Sequence, residues 1–212
     1  MNSTKVKPLS ILVILFHIIG LAGFAIPSLS KLWRDLVPFH LLIMFVILLV
    51  SQTGKNSDFW KFMVLTYIFG YGIELLGVHT GYIFGSYQYE TTLGFKLAEV
   101  PLLIGVNWIL ILFTVGCFVN TLPLKKPLVR AGLAALLVVI LDLLIEPVAV
   151  LHDYWSWSGE VIPIQNYVAW LVFSFLMLLL FNKLDFNKRN SVASVLFIAQ
   201  FFFFLVLNLV IL

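Results

Sequence analysis

The sequence predicts an all-α protein: a polytopic membrane bundle of about seven transmembrane helices in one domain, residues 1–212. Composition is the first reason. Of the 212 residues 62% are hydrophobic and 11% are charged, with a mean hydropathy of +1.08, and only a bilayer solvates that much apolar surface. Segmentation is the second. Seven apolar runs, roughly 9–29, 36–50, 59–84, 100–119, 128–151, 163–181 and 192–212, approach the ~20 residues that a helix needs to cross hydrocarbon. Charge is the third. Ten of the thirteen Lys and Arg residues cluster before the first run and around the turns that follow the second, fourth and sixth; only Lys31, Arg34 and Lys96 fall elsewhere. The positive-inside rule then puts the N-terminus in the cytoplasm and the C-terminus outside.

Taken in order, the first run follows Lys5 and Lys7 as a signal peptide would. It is too long for a typical signal core and no A-x-A site follows, so it is expected to stay as a span. The second run is the shortest. The third carries Glu74 and His79 and leaves through Tyr82, Phe84, Tyr87 and Tyr89. The fourth starts near Pro101 and holds Cys117, the single cysteine, which can form no disulfide within the chain and suits no thiolate metal site. The fifth carries Asp142 and Glu146, and the sixth begins at Pro163. The seventh, with Phe at 201–204, reads as lipid-facing or as a helix contact. The net charge of +3 and pI near 9.0 come from bases in short loops. They set orientation, and no nucleic-acid partner is expected.

Two loops on the expected outer face, 85–99 and 152–162, carry acids and aromatics: Tyr87, Tyr89 and Glu90 in one, Asp153, Trp155, Trp157 and Glu160 in the other. For any single ring an interfacial belt is the plainer reading. Both loops exceed what a helical hairpin needs, which points to a lid or pocket rim.

Ionisable groups inside apolar spans are costly and default to a functional reading. Glu74 lies fifteen residues past Phe59 and Asp142 fourteen past Leu128. At ~1.5 Å per residue, both sit ~21–23 Å into a core ~30 Å thick. Glu146, one turn beyond Asp142, shares its face. Three carboxyl groups thus meet in the outer half of the membrane. Burial and mutual repulsion leave at least one protonated at neutral pH, as a general acid requires. Gly77 and Gly81 have the small-xxx-small spacing that permits close helix approach. His79 is five positions from Glu74, off its face, and fits a hydrogen-bond partner better than a base. His17 and His40 read as structural.

A weak internal repeat joins these regions. Each half has an outward helix with acids, an aromatic loop, and a returning helix opened by Pro with Trp seven positions on: Pro101 and Trp108, Pro163 and Trp170. Each also has an Asn early in that helix, Asn107 and Asn166. A parallel repeat of a two-helix unit would place the site between the halves. No HExxH, CxxC, Walker A or GxGxxG motif occurs in its context, and the last run has no Lys for a Schiff base. No metal and no cofactor are expected.

These residues resemble a known family. E-x-x-G-x-x-T-G-x-x-F-G-x-Y-x-Y from Glu74 to Tyr89, then Leu93-Gly94, Val100-Pro101 and Trp108, form its first block. Asp142, Pro147-Val148-Ala149, the W-x-W of Trp155 and Trp157, Gly159, and IPIQNYVAW ending at Trp170 form the second. Together they resemble the integral-membrane carotenoid hydratases of the γ-carotene 1′,2′-hydratase and bisanhydrobacterioruberin hydratase type, over residues 70–170. The chain departs at Glu146, where Asp is expected, and at Glu160-Val161-Ile162, where a Gly-rich approach to the Pro is expected.

The resemblance implies an enzyme of carotenoid biosynthesis in a prokaryotic cell membrane. It would add water across the terminal double bond of an acyclic end group, giving a tertiary alcohol, with lycopene, γ-carotene or a longer C50 carotenoid as substrate. Protonation gives a tertiary carbocation, so a buried acid, a water-orienting carboxylate and aromatic rings are needed, and no cofactor. On that reading Asp142 or Glu146 donates the proton and Glu74 orients water. His79, Tyr82, Tyr87, Tyr89, Trp108, Trp155, Trp157, Asn166 and Trp170 would bind the end group. A carotenoid or isoprenoid cyclase would use the same cation, and a proton-coupled transporter would also bury acids, though at several depths.

Overall fold

The computed structural model describes residues 3–211; the Lys5 side chain and Leu212 lie outside what it describes. Seven helices form the bundle: α1 (Ser3–Ala25), α2 (Pro27–Ser51), α3 (Ser57–Thr80), α4 (Leu103–Val119), α5 (Pro127–Leu151), α6 (Ile164–Lys183) and α7 (Ser191–Ile211). Six are long and apolar enough to cross a membrane, and the chain reads as an integral membrane protein. The seventh, α4, has 17 residues and packs against α2, α3, α5, α6 and α7, so nearly all of it is buried. A helix enclosed by other helices need not present a full lipid-facing length.

Several boundaries differ from the expectation. The first run does not reach residue 29, because the chain breaks at Ile26 and Pro27 opens α2, where its missing N–H costs nothing. The second helix is therefore 25 residues long, not the shortest. Its charged first turns are held by an ion pair from Arg34 Nη1 to Asp153 Oδ2, 2.5 Å. Helix α3 starts where the Asn56 side chain caps the Phe59 N–H at 3.0 Å. It stops at Gly81, in the left-handed conformation (φ +68°), so residues 81–84 are not helical.

Gly77 and Gly81 do not pack α3 against another helix. A Cβ on Gly77 would meet the ring of Phe84 at 2.5 Å and Tyr87 Oη at 3.1 Å, so this glycine makes room for the segment folding back. Close approach of α3 and α4 rests instead on Gly70, where a Cβ would meet Trp108 at 2.7 Å, and on Gly105, facing Tyr67 at 2.6 Å. Gly70→Val should cost about 1–3 kcal/mol by overpacking and push Trp108 off its partner described below. Thermal unfolding in detergent checks this.

The loops sort to two ends. At the basic end, Gln52 Nε2 donates to Asn187 O at 2.6 Å, and Asn190 Nδ2 donates to Ser51 Oγ and Gln52 Oε1, both at 3.0 Å. This ties the α2–α3 turn to the α6–α7 turn. At the other end, four short strands appear that the sequence reading did not foresee: β1 (Tyr87–Tyr89), β2 (Lys96–Leu97), β3 (Val100–Pro101) and β4 (Trp155–Trp157). The two aromatic loops clasp each other, β1 pairing antiparallel with β4 in the register Tyr87↔Trp157 and Tyr89↔Trp155. β2 and β3 form a separate hairpin that occupies the start of the fourth run.

The repeat units α3–β1–α4 and α5–β4–α6 meet at two like-for-like contacts. One is the β1–β4 pair, since antiparallel strands are what a twofold axis perpendicular to them generates. The other is Trp108 stacked on Trp170, with centroids 4.3 Å apart and planes 30° apart.

Candidate active site between the repeat units

Glu74 lies on α3 less than two turns before its Gly81 stop and is 3% exposed. Along a strand, alternate side chains share a face. Tyr87 and Tyr89 therefore both turn inward, while Gln88 between them reaches out to Glu90. Both phenols donate to Glu74 Oε2, at 2.5 and 2.8 Å. Trp108 Nε1, from α4, donates to Glu74 Oε1 at 3.0 Å. Burial first, and then the Glu74 carboxylate, push both phenols well above their ordinary range, so they remain donors.

The second unit repeats the plan with indoles. Trp155 and Trp157, alternate residues of β4, both donate to Glu146 Oε2, at 2.9 and 2.8 Å. Asn166, on the first turn of α6, bridges the two acids of α5: its Nδ2 lies 3.0 Å from Asp142 Oδ2 and 3.4 Å from Glu146 Oε1. Five of the six carboxyl oxygens in the cluster thus accept a hydrogen bond. The sixth, Asp142 Oδ1, is buried with no partner among the described residues. A carboxyl oxygen that no donor occupies is the one best placed to carry a hydrogen, since a protonated carboxyl becomes an O–H donor at one oxygen.

The two halves touch through their rings. Tyr87 and Trp157 have centroids 5.0 Å apart, and Tyr89 meets Trp155 edge-on at 6.0 Å. Of the residues singled out from sequence, Glu74, Asp142, Glu146, Tyr87, Tyr89, Trp108, Trp155, Trp157 and Asn166 form one hydrogen-bonded cluster, with Trp170 stacked against it. Two lie outside it. Tyr82 follows the Gly81 stop and is 87% exposed. His79 is exposed on the last turn of α3 and lines a surface pocket instead.

That pocket, about 440 Å³, lies beyond the β1–β4 pair and is lined by His79, Ser86, Gln88, Ser156, Ser158 and the outer faces of Tyr87 and Trp157. A second cavity, about 240 Å³, lies on the other side of the cluster, among α1, α2, α4, α5 and α7. Its walls are apolar apart from His17, His40, Asn107 and Gln200, and it meets the cluster at Trp155. The sequence reading placed no part of α1, α2 or α7 near the chemistry. Apolar side chains at helical spacing look the same whether they face lipid, core or a cavity. No group of three or more His, Cys, Asp or Glu side chains placed to hold a metal occurs among the described residues.

The fold and site define a polytopic membrane protein with a buried cluster of acids, phenols and indoles between its repeat units. A family model for carotenoid biosynthesis proteins matches residues 35–212, and the chain belongs to that family. Its role is in carotenoid biosynthesis. Among curated proteins, bisanhydrobacterioruberin hydratase of Haloarcula japonica is 30% identical over 132 residues, covering 57% of this chain and 43% of the relative. The match thus spans less than half the length of that protein. No solved structure matches the chain significantly.

Proposed function

We propose that the protein is a carotenoid hydratase, adding water to the terminal 1,2 double bond of an acyclic carotenoid end group. The observation that carries this is the unpartnered Asp142 Oδ1 in a cluster whose other five carboxyl oxygens accept hydrogen bonds. Asp142 is the proton donor, and Asn166 orients it by holding its other oxygen. Transfer of the proton to the less substituted alkene carbon leaves a tertiary cation on its neighbour. The faces of Tyr87, Tyr89, Trp155 and Trp157 attract that cation, and the surrounding fixed dipoles stabilise it without reorganising.

Water then forms the C–O bond and loses a proton, which returns to the carboxylates. Glu74 Oε1 and Glu146 Oε1 each accept only one bond, leaving a lone pair to orient the water. The net change is alkene plus water to tertiary alcohol, with Asp142 restored. The polar pocket over Tyr87 and Trp157 favours water capture over ring closure, because it brings solvent to the second face of the cluster. Residues 70–170 act as the catalytic core of one integral-membrane domain, and the basic end faces the cytoplasm of a prokaryotic cell.

Co-expression in a host that makes lycopene, γ-carotene or an acyclic C50 carotenoid tests this, with pigments resolved by chromatography and mass spectrometry. A product one water heavier supports the hydratase. An isomer of unchanged mass with a new ring would make the protein a cyclase, and unaltered pigments would leave the transporter. Narrowing the polar pocket with Ser158→Phe should lower hydrated product by about tenfold, a barrier increase near 1.4 kcal/mol, at unchanged protein level in the membrane.

A further inference from the structure

The cavity among α1, α2, α4, α5 and α7 touches the cluster at Trp155 and otherwise extends away from it. It runs along the helices: on α7 its lining extends from Gln200 to Leu207, about 10 Å of helical rise, and on α2 from Trp33 to Ile43, about 15 Å. At one end stands Trp155, whose indole N–H is bonded to Glu146. At the other end are His17 and His40, packed edge to face at 5.0 Å, together with Gln200. The Gln200 side chain is 8% exposed and its Oε1 has no hydrogen-bond partner among the described residues. Phe39, 61% exposed, stands at the rim, so the cavity opens sideways on the outer face of α2, where lipid would lie.

We propose that this chamber binds the terminal stretch of the linear isoprenoid chain of an acyclic carotenoid, entered sideways from the bilayer past α2, with the reacting end seated against Trp155 and the rest of the chain left in lipid. The occupant follows from the shape and chemistry of the walls. A mostly apolar cavity running along the helices suits an extended hydrocarbon already dissolved in lipid, and the family acts in carotenoid biosynthesis. Among the described residues, Trp155 is the one cavity-lining residue that also bonds one of the three acids, so it joins chain to chemistry. The chamber thus delivers the hydrocarbon from one side of the cluster while the polar pocket supplies water from the other. Only this division of labour rests on the hydratase reading; binding of the chain does not.

The test is retention of lycopene by the full-length protein purified in detergent from a lycopene-producing host. Gly20→Leu and Val37→Phe narrow the chamber at positions remote from the acids. Each should lower bound pigment by about tenfold, near 1.4 kcal/mol of binding, with an unchanged thermal midpoint. Asp142→Asn should bind pigment as the unaltered protein does while losing conversion. A readout that needs no filled chamber is tryptophan emission: bound lycopene should quench Trp33, and Trp33→Phe should remove that share of the quenching. Full pigment binding in both narrowed variants, or no quenching of Trp33, would overturn the chamber. Pigment bound there without any hydrated product would refute the hydratase and leave the chamber standing.

Discussion

Asp142→Asn should abolish most conversion, by about 10²–10⁴-fold, the range that a positioned general acid contributes, while the protein folds and inserts as before. Asp142 is fully buried on α5 and, among the described residues, its carboxyl is bonded by Asn166 alone, at 3.0 Å. An Asn in its place has the same shape and still offers an oxygen to Asn166. Its amide nitrogen then occupies the position of the free Oδ1, so little packing changes, but no proton can be delivered. The readout is hydrated product per unit of membrane-inserted protein, with the thermal midpoint as control. Glu146→Gln behaves differently, because Trp155 and Trp157 both donate to the same Glu146 oxygen. It should lose activity and also loosen the β4 loop. Full activity of Asp142→Asn in folded protein would remove Asp142 from the chemistry.

Glu74→Ala should be the most destabilising single change in the cluster. It strands three buried donors, the hydroxyls of Tyr87 and Tyr89 and the indole N–H of Trp108. An orphaned buried donor costs about 1–3 kcal/mol, whereas removing both partners of a buried hydrogen bond is nearly neutral. The sign of the rescue is therefore informative. Glu74→Leu combined with Tyr87→Phe and Tyr89→Phe should be more stable than Glu74→Ala alone, despite carrying more substitutions, although both should be inactive. Thermal unfolding of the two proteins in one detergent decides it. A triple variant less stable than the single one would mean that the cluster is not held as described.

How far these positions are legible in the sequence depends on the kind of signal. The three acids stand out because a carboxyl in an apolar run has no cheap alternative explanation. The Pro–Trp spacing of the two returning helices carries geometric information, realised in the stacking of Trp108 on Trp170. The Y-x-Y and W-x-W pairs also hold a period-two signal, but three-residue strands are stabilised only by the partner loop, which no local pattern reveals. Their part as donors to Glu74 and Glu146 was thus hidden, and they read as pocket rings. Tyr82 stands apart from the cluster for a local reason: Gly81 turns the chain into the left-handed region and sends the next residue outward. The break at Ile26 lay inside a continuous apolar stretch, with Pro27 its only mark.

In a hydratase the oxygen of water ends on the tertiary carbon of the product. The most direct measurement gives the purified protein an acyclic carotenoid in heavy-oxygen water and examines the product by mass spectrometry. The hydratase predicts one labelled tertiary hydroxyl for each reacted end, absent with Asp142→Asn. A cyclised isomer without label, or substrate recovered unchanged from folded, pigment-bound protein, would contradict it.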